Sequence, residues 1–374
     1  MCAKSAGEVP AEIIRRLRSA RDVLLVTHAR PDGDALGCLA GLAIAARGAG
    51  RTVHLLVPDK IPKQYEFLFE PVKGGKVSSV GRSPRTCPSP CPPAAGRQAA
   101  GRQGAFPGLQ DVARKDRFAD LAESADAIVI LDTCAIAQLD GLEKAIPRYR
   151  RKTVVIDHHV TPDRIGAVRW IDPTAAAAGV MVLEMLETLG WPVAPAAEAL
   201  AAAIITDTGW LRFANTDARC LRAMARLLEA GVKSDKLYAR LYQSDRPERL
   251  RLMERMLRSL EFHCSDRLAV MTLRKADFAQ TGALQEETEN LLNEAFRVGS
   301  VEAVILLTEM PDCTRASLRS REFVDVAAVA QRFGGGGHPR AAGLRSKEAL
   351  PSVRERLVSA LKDELKKLSP KSDE

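Results

Sequence analysis

The chain has 374 residues, of which 46% are hydrophobic and 27% charged, and its formal net charge is +8. This composition is typical of folded globular proteins and excludes a disordered or fibrous chain. The length exceeds that of one ordinary hydrophobic core, so it predicts two domains. The positive charge suits a polyanionic substrate. Aromatic residues make up only 5% of the chain, which argues against an extended surface for stacking bases.

The sequence carries no sign of export or membrane insertion. No apolar run is long enough to cross a bilayer, and the first residues lack the apolar core of a secretory signal. We therefore expect a cytoplasmic protein without a membrane partner. The eight cysteines lack the paired spacing of a zinc site, and in a cytoplasmic protein we expect them to stay reduced.

The first part of the chain alternates helical and extended patterns. A helix is predicted over residues 10–20, and a run of small residues predicts a second helix from Ala35 to Ala49. Short apolar runs predict strands at Val23–Val26, Thr52–Val57, Ala127–Leu131 and Thr153–Ile156. Continuous apolar strands separated by helices indicate a parallel sheet that is buried on both faces.

Residues 81–110 interrupt this alternation. They contain six prolines, five glycines and four arginines but no acidic residue. Such a segment cannot bury enough apolar surface to offset the entropy that ordering it would cost. We therefore predict a disordered surface insertion.

Helical patterns dominate from about residue 175 to residue 260, and the apolar stripe in 246–262 predicts a helix that links two domains. Further strands are predicted at Leu268–Leu273, Val301–Leu307 and Arg315–Arg319, and helices at Glu286–Phe296, at Val324–Phe333 and from Pro351 onward. The fold class is therefore α/β, with an N-terminal parallel-sheet domain over residues 1–245 and a smaller α/β domain over residues 263–374.

Acidic and imidazole side chains follow three of the predicted strands. The groups, in chain order, are His28, Asp32 and Asp34, then Asp132, then Asp157, His158 and His159, with Asp207 after an apolar helical stretch. Ligands of open parallel sheets bind beyond the carboxyl ends of the strands, so these groups should gather in one small volume. Carboxylates held so close together repel one another unless cations neutralise them. Carboxylate and imidazole ligands suit Mn²⁺, Mg²⁺, Fe²⁺ or Zn²⁺ without singling one out.

A second motif lies near the C-terminus, where four consecutive glycines precede His338. Glycine permits positive φ and a close approach of the backbone, so N–H groups here can bind a phosphate or a base edge. The preceding strand carries Arg315, Arg319 and Arg321, which suggest a bidentate phosphate clamp.

Together these motifs resemble the DHH phosphoesterase family, named for the triplet at 157–159. They follow in the order HxxxDxD, LD, DHH, TDTGWLRFANT, SLRS and GGGGH. The resemblance covers nearly the whole chain apart from residues 81–110 and is nearest to the oligoribonuclease (nano-RNase) and pAp-phosphatase type, with its DHH-associated C-terminal domain. It implies an active site in the cleft between two domains and two divalent metal ions, with Mn²⁺ as the first choice.

The resemblance also implies roles for individual residues. One metal would be bound by His28, Asp32 and Asp132, and the second by Asp34, Asp132, His158 and Asp207. His159 would contact the scissile phosphate, and Asp157 would orient the neighbouring imidazole. The substrate would be held in the C-terminal domain by Arg315, Arg319, Gly335, Gly336, Gly337 and His338. Cys38 and Cys134 lie beside the metal motifs, where their oxidation would disturb the site.

The implied reaction is two-metal hydrolysis of phosphate esters. Substrates would be RNA or DNA oligonucleotides of a few residues, or pAp, which would yield AMP and phosphate. The alternatives are a RecJ-like single-strand exonuclease, a pGpG phosphodiesterase, a family-II inorganic pyrophosphatase and a nucleotide-binding regulator without catalysis. The glycine-histidine motif argues against the pyrophosphatase. The sequence leaves open the preferred substrate, the polarity of cleavage, the physiological metal and whether the chain forms a homodimer.

Overall fold

The structure is a computed structural model that describes residues 8–70, 112–159 and 163–368. The chain divides into two compact units, residues 1–244 and residues 245–374. The insertion that we predict at residues 81–110 lies outside the described residues. Within the described ranges, none of the helices combines the length and the apolar character that crossing a membrane requires.

The first unit is built on a parallel sheet, as the sequence predicts. Its described strands are β1 (Asp22–Val26), β2 (Thr52–Leu56), β3 (Val112–Ala113), β4 (Ala127–Leu131), β5 (Thr153–Asp157) and β6 (Val168–Ile171). They lie in the order β3-β2-β1-β4-β5-β6, and every neighbouring pair is parallel. Successive residues of β1 point into different apolar clusters, Leu25 on one face and Leu24 on the other. The central strands are therefore buried on both faces, which explains their continuous apolar sequence.

Helices cover both faces of this sheet. Those described are α1 (Ala11–Ser19), α2 (Gly33–Gly48), α3 (Phe118–Ser124), α4 (Ala178–Leu189), α5 (Ala197–Asp207), α6 (Ala218–Glu229) and α7 (Ser234–Tyr242). Helices α2, α4 and α5 are almost entirely apolar and form the larger cluster with one face of the sheet. Helix α3 contributes to the cluster on the other face.

Helix α2 packs on α5 at very short range because glycines recur at every fourth position of α2. Gly33, Gly37 and Gly41 thus share one face of the helix. A Cβ atom on Gly37 would lie 2.5 Å from the carbonyl oxygen of Ala199, and one on Gly33 would lie 2.3 Å from Oγ1 of Thr206. The start of α2 is therefore held against the end of α5.

We predict that Gly37→Ala destabilises the protein. Alanine favours a helix over glycine by about 1 kcal/mol, but its Cβ would force α2 and α5 apart, so the net loss should be about 1–3 kcal/mol. Urea denaturation measures it. The control is Gly299→Ala, where an added Cβ meets open space. Unchanged or increased stability of Gly37→Ala would contradict the close packing.

The second unit is a smaller mixed α/β structure, as predicted. Its described strands are β7 (Glu261–His263), β8 (Leu268–Leu273), β9 (Ala303–Glu309), β10 (Thr314–Ser320), β11 (Gly336–His338) and β12 (Ala341–Ser346). They lie in the order β11-β12-β10-β9-β8-β7; β8 and β9 are parallel, and the other neighbours are antiparallel. The helices described here are α8 (Pro247–Arg258), α9 (Lys275–Thr281), α10 (Val326–Gln331) and α11 (Leu350–Lys367). One face of the sheet packs on α10 and α11, and the other on α8 and residues 291–297.

Two features of this unit differ from the sequence-based prediction. The helix predicted at Glu286–Phe296 is wrong: the segment forms two 3₁₀ turns, Gln285–Thr288 and Leu291–Arg297. Asn290 between them has a φ of 63°, and this left-handed conformation interrupts a helix. No strand was predicted in the glycine run, but its residues 336–338 form the edge strand β11.

Candidate metal centre

The structure brings the predicted metal ligands together at the carboxyl edge of the first sheet. Three overlapping groups have ligand atoms within 4.8 Å of one another: His28, Asp32 and Asp132; Asp34, His158 and Asp207; and Asp132, His158 and His159. Asp132 belongs to two of these groups, and so does His158. The side chains come from residues that directly follow β4 and β5, from the loop after β1 and from the helices α2 and α5. The expected convergence of strand ends is therefore found.

The first turn of α2 supplies two of the carboxylates. Asp32 is the N-cap of α2 and accepts a hydrogen bond from the N–H of Ala35 at 3.0 Å. Asp34 is buried, and its oxygens accept hydrogen bonds from the N–H groups of Ala178 (2.6 Å) and Gly179 (2.9 Å) at the start of α4. These contacts fix the orientation of the Asp34 carboxylate.

The buried carboxylates destabilise one another's charged forms. Burial raises the pKa of Asp34 well above its usual range, and the charges of Asp207 and Asp32 add to the rise. Burial likewise raises the pKa of Asp132, with Asp34 as the next contributor. The pKa of Asp207 is also raised, mainly by burial. Without cations, the site therefore opposes full ionisation of these carboxyls.

Asp132 holds the central position in an unusual backbone conformation. It follows β4 directly and has a φ of 59°, in the left-handed region that aspartate tolerates better than most residues. Its N–H donates to the carbonyl of Ile156 on β5 at 3.0 Å. The turn directs a carboxylate that is only 2% exposed into the middle of the ligand set. Strained residues of this kind concentrate at functional sites.

Hydrogen bonds to the backbone fix two imidazole rings. Nδ1 of His158 lies 3.1 Å from the carbonyl oxygen of Ala175, and Nδ1 of His28 lies 2.9 Å from that of Ala29. Because a carbonyl only accepts, we assign the proton to Nδ1 in both rings. The lone pair of each ring is then on Nε2, as in a histidine that binds a metal.

The Nε2 atoms face carboxylates at distances too long for hydrogen bonds. His158 Nε2 lies 3.6 Å from Asp132 Oδ1 and 3.8 Å from oxygens of Asp34 and Asp207, and His28 Nε2 lies 3.6 Å from Asp132 Oδ2. Among the described residues, neither His158 Nε2 nor Asp132 Oδ1 has a hydrogen-bond partner, although both atoms are buried. Buried polar atoms normally have partners. A lone pair facing buried carboxylates is an arrangement that fits a divalent cation.

The remaining members of the triplet form a separate pair. His159 Nδ1 lies 2.9 Å from Oδ1 of the buried Asp157. Burial raises the pKa of Asp157, but hydrogen bonds from His159 and Cys134 outweigh that effect and leave the pKa lowered. The hydrogen bond to Asp157 raises the pKa of His159. His159 Nδ1 also lies 3.7 Å from Asp132 Oδ1, but its bond to Asp157 leaves Nε2 as the free nitrogen of this 57% exposed side chain.

The two cysteines singled out from the sequence do lie beside the site. The Cys38 thiol donates to Asp34 Oδ1, and the Cys134 thiol donates to the carbonyl of His159, both at 3.3 Å. Both side chains are buried. Burial raises the pKa of Cys38, which keeps the thiol protonated and unreactive.

A network of ion pairs that no sequence motif predicts supports the site. Arg219 on α6 contacts Asp172 at 2.6 Å and binds both carboxylate oxygens of Glu184 at 2.7 and 2.8 Å. The N–H of Asp172 donates to the carbonyl of Asp157. The network therefore connects α6 and α4 to the strand end that carries the triplet. Its members are far apart in sequence, so no local pattern reveals it.

We predict that Arg219→Leu lowers the free energy of unfolding by about 2–4 kcal/mol, since two largely buried carboxylates lose their partner. Chemical denaturation measures the loss. Arg222→Leu, an exposed position on the same helix, should change the stability by less than about 0.5 kcal/mol. Equal effects of the two substitutions would show that the network contributes nothing specific.

In the second unit, some of the predicted substrate-binding residues line one groove. The groove has a volume of about 760 Å³, and its lining includes Arg315, Arg319, Gly335 and Gly336. Arg345, which belongs to none of the predicted motifs, lies beside Arg315 because the two residues are paired between β10 and β12. Gly337 and His338 lie exposed on β11.

The glycines of this run are also needed for the packing of β11 on β12, whether or not they contact a ligand. A Cβ atom on Gly335 would lie 2.4 Å from the carbonyl oxygen of Gly343, and one on Gly337 would lie 2.4 Å from that of Ala341. Larger residues would therefore push β11 away from β12. The expectation that Arg321 joins the phosphate clamp is wrong, because its guanidinium donates to the carbonyls of residues 296 and 298 and lies over the ring of Phe296.

The fold and the site together define the class of this protein. Residues 22–205 match the DHH family, N-terminal domain, and residues 267–367 match the DHHA1 domain. The chain therefore belongs to the DHH family, and the resemblance seen in the sequence motifs is confirmed.

Particular relatives are similar over nearly their whole length. The bifunctional oligoribonuclease and PAP phosphatase NrnA of Thermus thermophilus is 28% identical, over 95% of this chain and 93% of the relative. The protein of the same name from Bacillus subtilis is 23% identical, over 89% and 91%. Among solved structures, an exopolyphosphatase-related protein from Bacteroides fragilis superposes with a TM-score of 0.77 at 21% identity, covering 94% of this chain and 95% of that one. The last comparison shows a shared fold.

Proposed function

We propose that this chain is a metal-dependent phosphoesterase that hydrolyses short oligonucleotides and pAp. The observation that carries the proposal is the buried Nε2 of His158, which has no hydrogen-bond partner in the described part of the chain and faces the carboxylates of Asp34, Asp132 and Asp207. The names of the Thermus and Bacillus relatives, both oligoribonucleases and PAP phosphatases, support the choice of substrate.

Two divalent cations fit the ligands, with Mn²⁺ as the first choice. One would be held by His28, Asp32 and Asp132, and the other by Asp34, Asp132, His158 and Asp207, so that Asp132 serves both. Bound cations supply positive charge that lowers the pKa of a water molecule and neutralises phosphate oxygens. The carbonyls of Ala29 and Ala175 keep the two imidazole lone pairs directed into the site.

Other side chains of the first unit act on the substrate directly or hold those that do. Asp157 retains the proton on Nδ1 of His159, so the Nε2–H group of a protonated His159 can donate to an oxygen of the scissile phosphate. Asn215 donates to the backbone carbonyl of Asp207 at 3.2 Å and to that of Ala176 at 2.9 Å, which positions the end of α5. These contacts preorganise the site before substrate arrives.

We further propose that the second unit binds a nucleotide. Arg315, Arg319 and Arg345 lie on one face of neighbouring strands, where each can pair with a phosphate. Burial lowers the pKa of Arg319, but a guanidinium stays protonated in proteins. The glycines at 335–337 and the exposed His338 would contact the base and sugar.

We expect Asp132→Asn to lower turnover of pAp and of a dinucleotide by roughly a thousandfold or more. It should also abolish the increase in melting temperature that Mn²⁺ gives the wild-type protein. The metal-free variant should be at least as stable as the wild type, because one repelling charge is gone. Asp140→Asn, which removes an exposed carboxylate, is the control. Mn²⁺-dependent turnover retained by Asp132→Asn would contradict the ligand assignment.

Arg319→Gln should raise KM for a dinucleotide by about tenfold or more while leaving the Mn²⁺-induced shift in melting temperature intact. The reason is that the arginine binds substrate and no metal. Steady-state kinetics and thermal unfolding give the two readouts. Arg297→Gln, at an 83% exposed side chain, should behave as the wild type. A lost metal effect in Arg319→Gln would point to misfolding instead of weakened binding.

A parallel substrate panel with Mn²⁺ distinguishes the alternatives. Highest activity on pAp and short oligonucleotides supports the proposal. Preference for long single strands would indicate a RecJ-like exonuclease, and preference for pGpG or pyrophosphate would indicate those activities instead. Tight nucleotide binding without hydrolysis would indicate a regulator. The cytoplasmic location and the homodimer stay predictions, which cell fractionation and light scattering test.

A further inference from the structure

Four aromatic side chains of the first unit form what we call the aromatic patch: Trp210 and Phe213, shortly after Asp207, and Tyr238 and Tyr242 on α7. The ring centroid of Trp210 lies 4.9 Å from that of Tyr238 and 5.8 Å from that of Tyr242, and the two tyrosines are 5.3 Å apart. Phe213 is 55% exposed, Tyr238 40% and Tyr242 44%. Large aromatic surfaces of this kind are usually buried unless they bind something.

A left-handed turn holds the patch in place. Gly209, Trp210 and Leu211 have φ values of 54°, 60° and 61° in succession, a conformation that is unfavourable for the two non-glycine residues. The N–H of Trp210 donates to the carbonyl of Ile205 at 2.7 Å. Strained backbone is retained where the surroundings require it, often at a binding site.

The same turn sets Phe213 against the backbone beside the metal centre. A Cβ atom on Gly209 would lie 2.3 Å from Cζ of Phe213, so the ring rests directly on this glycine. Gly209 is two residues from Asp207 and Trp210 is three, which limits the Cα distances to about 8 and 11 Å. The nucleotides on either side of a scissile phosphate can span this distance.

The chemistry of the patch matches a nucleobase. Every base has a π-face that stacks on aromatic rings, so such surfaces accept bases of any sequence. A guanidinium stands beside the rings: burial raises the pKa of Tyr242, and the nearby charge of Arg212 opposes that rise. Arg212 is exposed, and its Nε donates to the carbonyl of Gly209 at 2.7 Å. The patch thus places partly exposed aromatic rings next to a cation that can pair with the adjoining phosphate.

We propose that the aromatic patch stacks the base of the nucleoside that lies beyond the scissile phosphate of an oligonucleotide, and that it thereby favours oligonucleotides over pAp. This inference rests on the proposed function of the metal centre. An oligonucleotide carries a nucleoside on each side of the phosphate that is cleaved, whereas pAp has only one nucleoside in total. Trp210 and Phe213 of the patch follow Asp207 closely in the chain, so a substrate bound at the metal centre has its own base within reach of the rings. We therefore expect that base to occupy the patch.

Tryptophan fluorescence gives a readout that does not depend on turnover. Trp170 and Trp191 are only 5% and 8% exposed, so Trp210 is the indole that a stacked base can reach. The probe is an adenosine dinucleotide with a phosphorothioate linkage, which is hydrolysed slowly, added to the full chain with Mn²⁺. Quenching by the dinucleotide but not by pAp is expected, and Trp210→Phe should remove the quenching. Equal quenching by both compounds would overturn the proposal.

Kinetics of patch variants give the second test. Phe213→Ala and Tyr242→Ala should each lower the ratio of kcat/KM for the dinucleotide to kcat/KM for pAp by roughly five- to fiftyfold, mainly through KM. Phe323→Ala, at a 62% exposed phenylalanine in the second unit, should leave the ratio unchanged. An unchanged ratio in both patch variants would overturn the proposal.

Two further results, a change in oligomeric state and a lack of hydrolysis by the wild-type protein, would have different meanings. A change in oligomeric state of the patch variants, seen by light scattering, would assign the patch to contacts between copies of the chain and would overturn the proposal. If the wild-type protein hydrolyses neither substrate, the proposed function of the metal centre fails. Dinucleotide quenching of Trp210 in that case would still show that the patch binds a base.

Discussion

Mutual repulsion among buried carboxylates is the main force that the fold of the first unit has to oppose. Two unit charges 4 Å apart repel by about 4 kcal/mol at an effective dielectric constant of about 20. Asp34 and Asp132 are both almost fully buried, with Asp32 and Asp207 close by. The carboxylates come from separate elements, so the fold must oppose their separation. It does so through the glycine face of α2, which fixes the start of that helix against the end of α5.

The surroundings of these carboxylates direct two imidazole lone pairs towards them, as a site for cations requires. The backbone carbonyls beside His28 and His158 take the Nδ1 protons, so each Nε2 presents a lone pair. A hydrogen bond between Nε2 and a carboxylate would relieve the repulsion, but the separations of 3.6–3.8 Å are too long for one. A divalent cation bound between these side chains would neutralise the repulsion among the carboxylates.

The strands of the first unit and the residues of the candidate metal centre could be predicted because both follow from local patterns. Buried parallel strands are continuous apolar runs, and β4 was predicted to the residue at Ala127–Leu131. Most of the residues that come together in the candidate centre stand at or soon after the end of such a run, whereas their role as metal ligands stays a prediction. The remaining features depend on residues far apart in the chain. The edge strand β11 needs its partner β12, the network of Arg219 joins three separate elements, and Trp210 meets Tyr238 only after α6 and α7 have packed.

A crystal structure of the protein with Mn²⁺, with anomalous scattering recorded at the manganese edge, would show whether two cations share Asp132. Two anomalous peaks are expected in the first unit, one beside His28 and one beside His158, with Asp132 contacting both. A single peak, or peaks that Asp132 does not contact, would contradict the shared site.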